Sequence, residues 1–334
     1  MGFATFKNKA CICFTRLTFF LPSAKLTASM PNDGRSRTLL WILIGGGVFV
    51  LFLLAVFSLV YYTVRSQQGS TEIVRQGTGG KIAVVDLEGV ILTPKIVKDL
   101  KKFADDDSIK AIILHINTPG GGAAASEEIY QTVRRIRDDK KKKIVASIES
   151  VGASGGYYVA SATNKIFADG ASVVGSIGVI MEWYNYADLI KWAKLKNIVI
   201  KTGEFKDTGN PARDITPAER AYLEAMAQNM LGQFVHAVAD GRGLNQDQVQ
   251  AIADGRVWTG QQAKELKLVD ELGDFEAAVK DTAKTVGIKG EPTLVRPEKE
   301  RRSILDLLFG DASDLWPDPG KLLEKNVGFY YLWK

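Results

Sequence analysis

Between Arg37 and Arg65 the chain runs for 27 residues without a charge, TLLWILIGGGVFVLFLLAVFSLVYYTV, and no other stretch restricts the possible folds so strongly. A helix crosses the hydrocarbon layer of a bilayer with roughly 20 apolar residues. This run exceeds that length, is longer than the apolar core of a secretory signal, and lacks a small-x-small exit site, so it reads as a retained anchor over residues 38–64. Trp41 at one end and Tyr61 with Tyr62 at the other suit the two membrane interfaces.

Charge sets the expected orientation. Residues 1–37 carry Lys7, Lys9, Arg16, Lys25, Arg35 and Arg37 against Asp33 alone, which accounts for the formal net charge of +5. A basic flank stays cytoplasmic, so the arm is expected inside and everything after residue 65 outside. The balanced remainder argues against a nucleic-acid-binding surface. Cys11 and Cys13 are the only cysteines and both lie in the arm. The outer part therefore has no disulfide and no thiol nucleophile, and with His115 and His236 as its only histidines it is expected to hold neither a metal cluster nor a cofactor. A disulfide-free outer domain behind such an anchor suits a bacterial inner membrane. Met30, followed by PNDGRSR and the span, would make a sensible start, so residues 1–29 are read as an over-extended reading frame.

After a polar linker over 65–80, RSQQGSTEIVRQGTGG, strand and helix patterns alternate through a domain expected over 81–295. KIAVVDLEGVI predicts a buried strand, PKIVKDLKKFADDD a helix beginning at its proline, and AIILHIN a second strand ending in TPGGG. A helix follows from Ser126 to Asp139 with Ile129, Val133 and Ile136 on one face, then the strand KKIVASI, the turn GASGGYY and a helix from about Ser154. IFADGASVVGSIGVI supplies two short strands joined by Asp169 and Gly170. Alternation of this kind implies a parallel sheet with crossover helices, an α/β fold. Functional loops in such sheets lie beyond the carboxyl ends of the strands, where TPGGG and GASGG both fall. Thr216, Pro217 and Glu219 form a capping box opening a helix over 216–240, whose stripe of Leu223, Met226, Leu231, Phe234, Val235 and Val238 suits a core or a subunit interface. The tail, 296–334, passes through PEKERR and SILDLLF to the aromatic GFYYLWK, which could bind a membrane surface or a neighbouring subunit.

Two of these turns permit acyl transfer, which needs a nucleophile, a base, and amide donors aimed at the developing oxyanion. Ser154 at a strand-to-helix turn supplies a hydroxyl, and the glycines after Pro119 let a backbone approach without side-chain hindrance. A simple glycine loop and an ordinary Ser-Gly turn are the plain alternatives. His115 lies inside a strand pattern and His236 on the long helix, so both read as structural. Lysine can serve as base if burial leaves it neutral, but spacing alone does not choose among the lysines.

NTPGGG, SVGASGGYYVASATNKIFAD, VVGSIGV, GEFKDTGNP and GRVWTGQQAKELKLVDELG, in this order behind one span, resemble the signal peptide peptidase A family of membrane-bound serine proteases over roughly residues 81–290. The resemblance implies a fold of the ClpP and crotonase type and a Ser/Lys dyad, which would make 81–295 the protease domain. Carried across, it implies Ser154 as nucleophile, Lys206 as base, Ser176 as the residue orienting the lysine, and the amides of Gly121 and Gly155 as oxyanion donors. Phe205 hints at the dry surroundings a neutral lysine needs, whereas Asp207 would favour the charged form unless it points away. The implied activity is cleavage of short hydrophobic peptides, above all remnant signal peptides, at a bacterial inner membrane with the N-terminus cytoplasmic and the catalytic domain outside. The implied assembly is a dome-like homo-oligomeric ring, an octamer for chains of this half-length form, in which neighbouring subunits can complete the dyad. The alternatives are a related membrane protease acting on misfolded membrane proteins, a crotonase-like enzyme of coenzyme A thioesters, and a non-enzymatic membrane scaffold.

Overall fold

The computed structural model describes residues 34–66, 71–298 and 329–333. The basic arm before residue 34, the start at Met30 and the tail from 299 to 328 lie outside the described residues. Helix α1, Gly34–Ser66, forms one unit by itself and the residues from 67 onward form another. Its apolar window Trp41–Leu59 has a mean hydropathy of 2.7 and none of it is buried, so by length and composition α1 is a candidate membrane span. It starts at Gly34, before the expected residue 38.

The second unit opens with β1 (Thr71–Arg75), β2 (Lys81–Glu88), α2 (Val97–Asp105) and β3 (Ile109–Thr118). It continues with β4 (Gly120–Gly122), α3 (Ala123–Asp138), β5 (Lys143–Ala153), α4 (Gly155–Ser161), β6 (Lys165–Ala168), β7 (Val173–Gly175) and β8 (Ile180–Met181). Beyond these come α5 (Ala187–Trp192), α6 (Pro217–Arg242), α7 (Gln246–Gln250), β9 (Val257–Thr259), α8 (Gly260–Glu265), β10 (Glu271–Leu272), α9 (Phe275–Thr285), β11 (Thr293–Pro297) and β12 (Phe329–Leu332). The main sheet runs β1-β11-β2-β3-β5-β6-β10, with β7 alongside β5 and β9 alongside β7, and is parallel except where β1 pairs with β11 and β9 with β7. A parallel sheet is covered on both faces, which is why IAVV, AIIL and IVASI read as continuous apolar runs. Ala83, Val85, Ile112, Leu114 and Ile116 pack into the larger core with residues of α2, α3, α4 and α6. Ile82, Val84 and Ile113 point the other way, onto Val279 and Ala283 of α9.

Several boundaries differ from those the sequence predicts. The stretch 65–80, expected as linker, contains β1, whose Ile73 pairs with Val295 while Arg75 binds Glu276 on α9. Helix α2 begins at Val97 rather than at Pro94, because Pro94 first closes a tight turn in which its carbonyl accepts from the Val97 amide at 3.0 Å. The strands expected around Asp169 and Gly170 do not pair with each other. β6 lies along Val145–Ile148 of β5, and β7 along Val151–Ala153 of the same strand, so β5 runs five residues past the expected Ile148 to hold both. Helix α6 carries the expected capping box, with Glu219 N donating to Thr216 Oγ1 at 3.2 Å and Thr216 N to the Glu219 carboxylate at 2.9 Å.

Candidate active site

Strand β5 delivers Ser154 to the carboxyl edge of the sheet, and α4 begins at the next residue. Between them the chain turns so sharply that Ser154 takes φ 51° and ψ −116°, a conformation that L-residues avoid. Such strain, of order 1–3 kcal/mol, persists only where neighbours over-determine it. Here the Ser154 amide donates to the Gly175 carbonyl at 2.7 Å and its carbonyl accepts from Tyr158 N at 2.8 Å, pinning both sides of the turn. The residue is 1% exposed.

Against this turn lies β4, the glycine triplet, which the sequence offers as a loop. Each of its amides has a distinct direction. Gly120 N donates to Thr118 Oγ1 at 3.1 Å, and Gly122 N to the Ile91 carbonyl at 2.7 Å. Gly121 N points to the opposite side, toward the partner strand β12, where Gly121 stands opposite Tyr331. Trp333 N donates to the Pro119 carbonyl at 2.8 Å, and hydrogen-bonded pairs alternate along an antiparallel ladder, so Gly121 and Tyr331 form the next such pair. The Tyr331 carbonyl is thereby aimed at the Gly121 N–H. A methyl group on Gly155 would lie 3.2 Å from Gly121 N, 3.1 Å from the Tyr331 oxygen and 2.4 Å from Ser126 Oγ. Gly121 and Gly155 are therefore brought together beside Ser154, with a peptide carbonyl from β12 between them.

Ser126, buried in the first turn of α3 with Oγ donating to Gly122 O at 3.0 Å, braces this arrangement. Sequence reading misses it, since a serine in a helical first turn carries no distinguishing pattern. The role of the tail strand is likewise missed, although its aromatic composition stood out.

Ser176 follows Gly175, the acceptor of the Ser154 amide, and is itself buried at φ 52°, its N–H donating to Arg256 O at 2.9 Å. It shares the neighbourhood of Ser154. Lys206 does not. It sits in the single turn Glu204–Asp207, exposed, and among the described residues no hydrogen bond or ion pair engages its ammonium group. Phe205 turns away to pack on Tyr222, ring centroids 5.4 Å apart, so one copy of the chain does not supply the dry surroundings expected for this lysine. Asp207 points away as required: Arg213 and Lys201 both bind its carboxylate, the latter at 2.6 Å. Arg213 also binds Glu219, tying the Lys206 turn to the capping box of α6. Arg213 holds the Asp207 carboxyl far below its usual range, with Lys201 adding to the effect, and it lowers Glu219 to about 2 with help from the Thr216 amide.

Both histidines make contacts within the fold. His115 meets Phe275 edge-on with ring centroids 5.0 Å apart, and His236 Nδ1 lies 2.8 Å from the Gln246 amide on the surface. One cluster was not foreseen: the carboxylates of Asp86 and Glu88 and the His115 ring place their ligand atoms within 4.8 Å of one another. Arg296 lies 3.3 Å and His115 3.4 Å from Asp86, so ordinary ion pairing accounts for the cluster.

Residues 85–168 match the Clp protease family and residues 136–289 match peptidase family S49. The mostly parallel sheet with crossover helices and the serine at its edge thus define a ClpP-like serine peptidase. A protein of Synechocystis sp. named as a protease is 35% identical over 72% of this chain and 87% of its own length. A protein of Enterococcus faecium named as a signal peptide peptidase is 34% identical over 65% of this chain and 62% of its own. Protease 4 of Haemophilus influenzae is 34% identical over 60% of this chain, which spans 34% of that longer protein. The chain belongs to peptidase family S49, the signal peptide peptidase A family, and is a serine peptidase of that family.

Proposed function

We propose that the chain is a membrane-anchored endopeptidase that uses a Ser154/Lys206 dyad to degrade remnant signal peptides and other short hydrophobic peptides. The observation that carries this reading is the direction of the glycine amides. Of the three in β4, only Gly121 N–H faces the cleft beside Ser154, and Gly155 lies next to it. In the reaction the Ser154 hydroxyl attacks the peptide carbonyl while neutral Lys206 takes its proton. The Gly121 and Gly155 amides receive the developing oxyanion, and the lysine returns the proton to the leaving amine as the acyl-enzyme forms. Water then repeats the sequence and releases the acid. Ser176 orients the lysine.

Lys206 is exposed in one copy, whereas a lysine that serves as a base needs dry surroundings that favour its neutral form. Burial against a second copy supplies what is missing. Exposed Trp192, Leu195, Ile198 and Ile200, on the segment leading to Lys206, provide an apolar face for that contact. The active form is then a homo-oligomeric ring, an octamer, with Ser154 and Lys206 meeting across a subunit boundary. The ring then lies on the outer face of a bacterial inner membrane with the N-terminus cytoplasmic, a reading supported by the apolar length of α1 and the positive charge of the arm. The peptide substrates come from that membrane.

Mixing tests this directly. Full-length Ser154→Ala and Lys206→Ala chains, each inactive toward a hydrophobic fluorogenic peptide, should regain activity when dissociated, combined and reassembled. Failure to regain any activity, with mixed oligomers demonstrated by mass, would refute a dyad shared between copies.

A further inference from the structure

We infer that Thr118 is the positioning residue of the oxyanion site: its hydroxyl sets the direction of the Gly121 amide, and its methyl group supports the turn that carries Gly155. The inference deepens the endopeptidase reading and rests on it in taking these two amides as the oxyanion donors. Thr118 acts through the glycines and takes no part in bond making.

The hydroxyl sits where three chain segments meet. It accepts from Gly120 N at 3.1 Å and donates to the carbonyl of Gly89, the residue that follows β2. Gly89 N in turn donates to Asn117 O at 3.1 Å. Two residues further on, Ile91 N donates to Gly120 O at 2.9 Å, and Gly122 N donates to Ile91 O at 2.7 Å. Gly120 N, Gly120 O and Gly122 N are thus all engaged away from the cleft, which leaves Gly121 N–H to face it. Of these bonds, the one to Gly120 N is made by a side chain. Pro119 has no N–H, so Gly120 N is the first amide after β3, and it is buried. A glycine at φ +100° has many other conformations open to it, and the Thr118 hydroxyl selects one. Without that hydroxyl the Gly120 N–H would be buried with no acceptor, a costly state. Turning it toward another acceptor rotates the following peptide plane, the one that holds Gly121 N–H.

The methyl group faces the other arm of the site. A Cβ on Gly156 would lie 2.5 Å from Thr118 Cγ2 and 3.2 Å from Thr118 O, so Thr118 lies directly against the first turn of α4, one residue past Gly155. It also stands opposite Gly152 of β5, two residues before Ser154, and is fully buried. One side chain therefore spans both arms, and its β-branch leaves few χ1 states in which it can do so. Its two ends can be removed separately. Thr118→Val keeps the branched shape and loses the hydroxyl, whereas Thr118→Ser keeps the hydroxyl and loses the methyl group.

The test compares the full-length parent with Thr118→Val and Thr118→Ser in detergent, by steady-state hydrolysis of a hydrophobic fluorogenic peptide with thermal unfolding alongside. Thr118→Val should lose about thirtyfold or more in kcat, roughly 2 kcal/mol of transition-state stabilisation, with KM within about threefold of the parent. Thr118→Ser should keep about a third or more of the parental kcat, although the void beside Gly156 lowers its Tm. Equal losses of kcat in the two variants, a loss confined to KM, or parental kcat in Thr118→Val would overturn the inference. If Thr118→Val misfolds, Thr118→Ala takes its place, since it differs from Thr118→Ser only in the hydroxyl; its kcat should lie about tenfold or more below that of Thr118→Ser, and parity would overturn the inference. Hydrogen exchange over residues 118–122 needs no turnover: protection should fall by about tenfold or more in Thr118→Val and persist in Thr118→Ser, and equal protection would overturn the inference. That exchange pattern in a parent unable to hydrolyse the peptide would refute the endopeptidase, whereas hydrolysis by all the chains at one rate would refute the role of Thr118.

Discussion

Gly120→Ala should abolish most of the activity, while Gly122→Ala, two residues along the same triplet, should leave it nearly unchanged. At Gly120 two costs coincide. An alanine at φ +100° is strained by about 1–2 kcal/mol. Its methyl group would also stand 2.6 Å from Gly155 N and 2.0 Å from the Tyr331 oxygen, distances that only displacement can relieve. What moves is an amide expected to hold the oxyanion, and loss of one such donor costs roughly 10²–10³ in kcat, about 3–4 kcal/mol of transition-state stabilisation. At Gly122 φ is −57°, and the nearest atoms to an added methyl group are 3.5 and 3.9 Å away, ordinary contact distances. The assay is steady-state hydrolysis of a fluorogenic peptide by both variants, with thermal unfolding alongside. Gly120→Ala should lose about 10²–10³ in kcat and a few degrees in Tm, since 1 kcal/mol shifts a domain of this size by roughly 2–4 °C. Gly122→Ala should stay within about twofold of the parent. Equal damage by the two, or a Gly120→Ala enzyme of parental kcat, would refute the placement of the oxyanion donors.

The strained turn at Ser154 predicts that Ser154→Gly is inactive yet at least as thermostable as the parent, because glycine relieves a conformation costing roughly 1–3 kcal/mol; a Tm drop comparable with that of a core cavity would count against it. Tyr157 is fully buried and donates to Leu268 O at 2.8 Å, so Tyr157→Phe should lose about 1–2 kcal/mol in denaturant unfolding while hydrolysis persists. Asp207 and Glu219 are both depressed by Arg213, so their contribution is complete above the ordinary carboxylate range and is lost as pH falls through the lowered values. Protection of the amides in segment 203–216, corrected for the intrinsic exchange rate at each pH, should accordingly fall between about pH 5 and pH 2, with Arg213→Ala showing the low protection already at pH 7. Indifference of that segment to both changes would detach Arg213 from the positioning of Lys206.

What the sequence revealed followed the range of its signals. The anchor-like run, the alternation of buried strands with helices, and the capping box at Thr216 are local patterns, and each appears where its residues place it. Ser154 was legible as a turn, and Gly155 and Gly156 follow it because a side chain at either position would run into Ser126 or Thr118. The three-stranded sheet β4-β12-β8 was not legible. Its central strand comes from some 200 residues beyond the glycine triplet, and a run of glycines carries no strand pattern of its own. Pairing over such separations is set by the closed fold rather than by propensity. The surroundings of Lys206 were half legible. Asp207 stood next to it in sequence and raised the question of charge, but its answer lay with Lys201 and Arg213, five residues before and seven after the lysine. Phe205 promised a dry neighbourhood and instead packs on Tyr222 of α6, leaving the lysine exposed.

The dyad itself is tested most directly by hydrolysis of a signal-peptide-like substrate by the parent, Ser154→Ala and Lys206→Ala, side by side, with the oligomer of each checked by size. Both variants should assemble as the parent does and fall in rate by at least about a thousandfold, the scale on which loss of a nucleophile or its base is felt. A fully assembled Lys206→Ala enzyme that still cleaves at the parental rate would contradict the assignment and move the role of base to another residue.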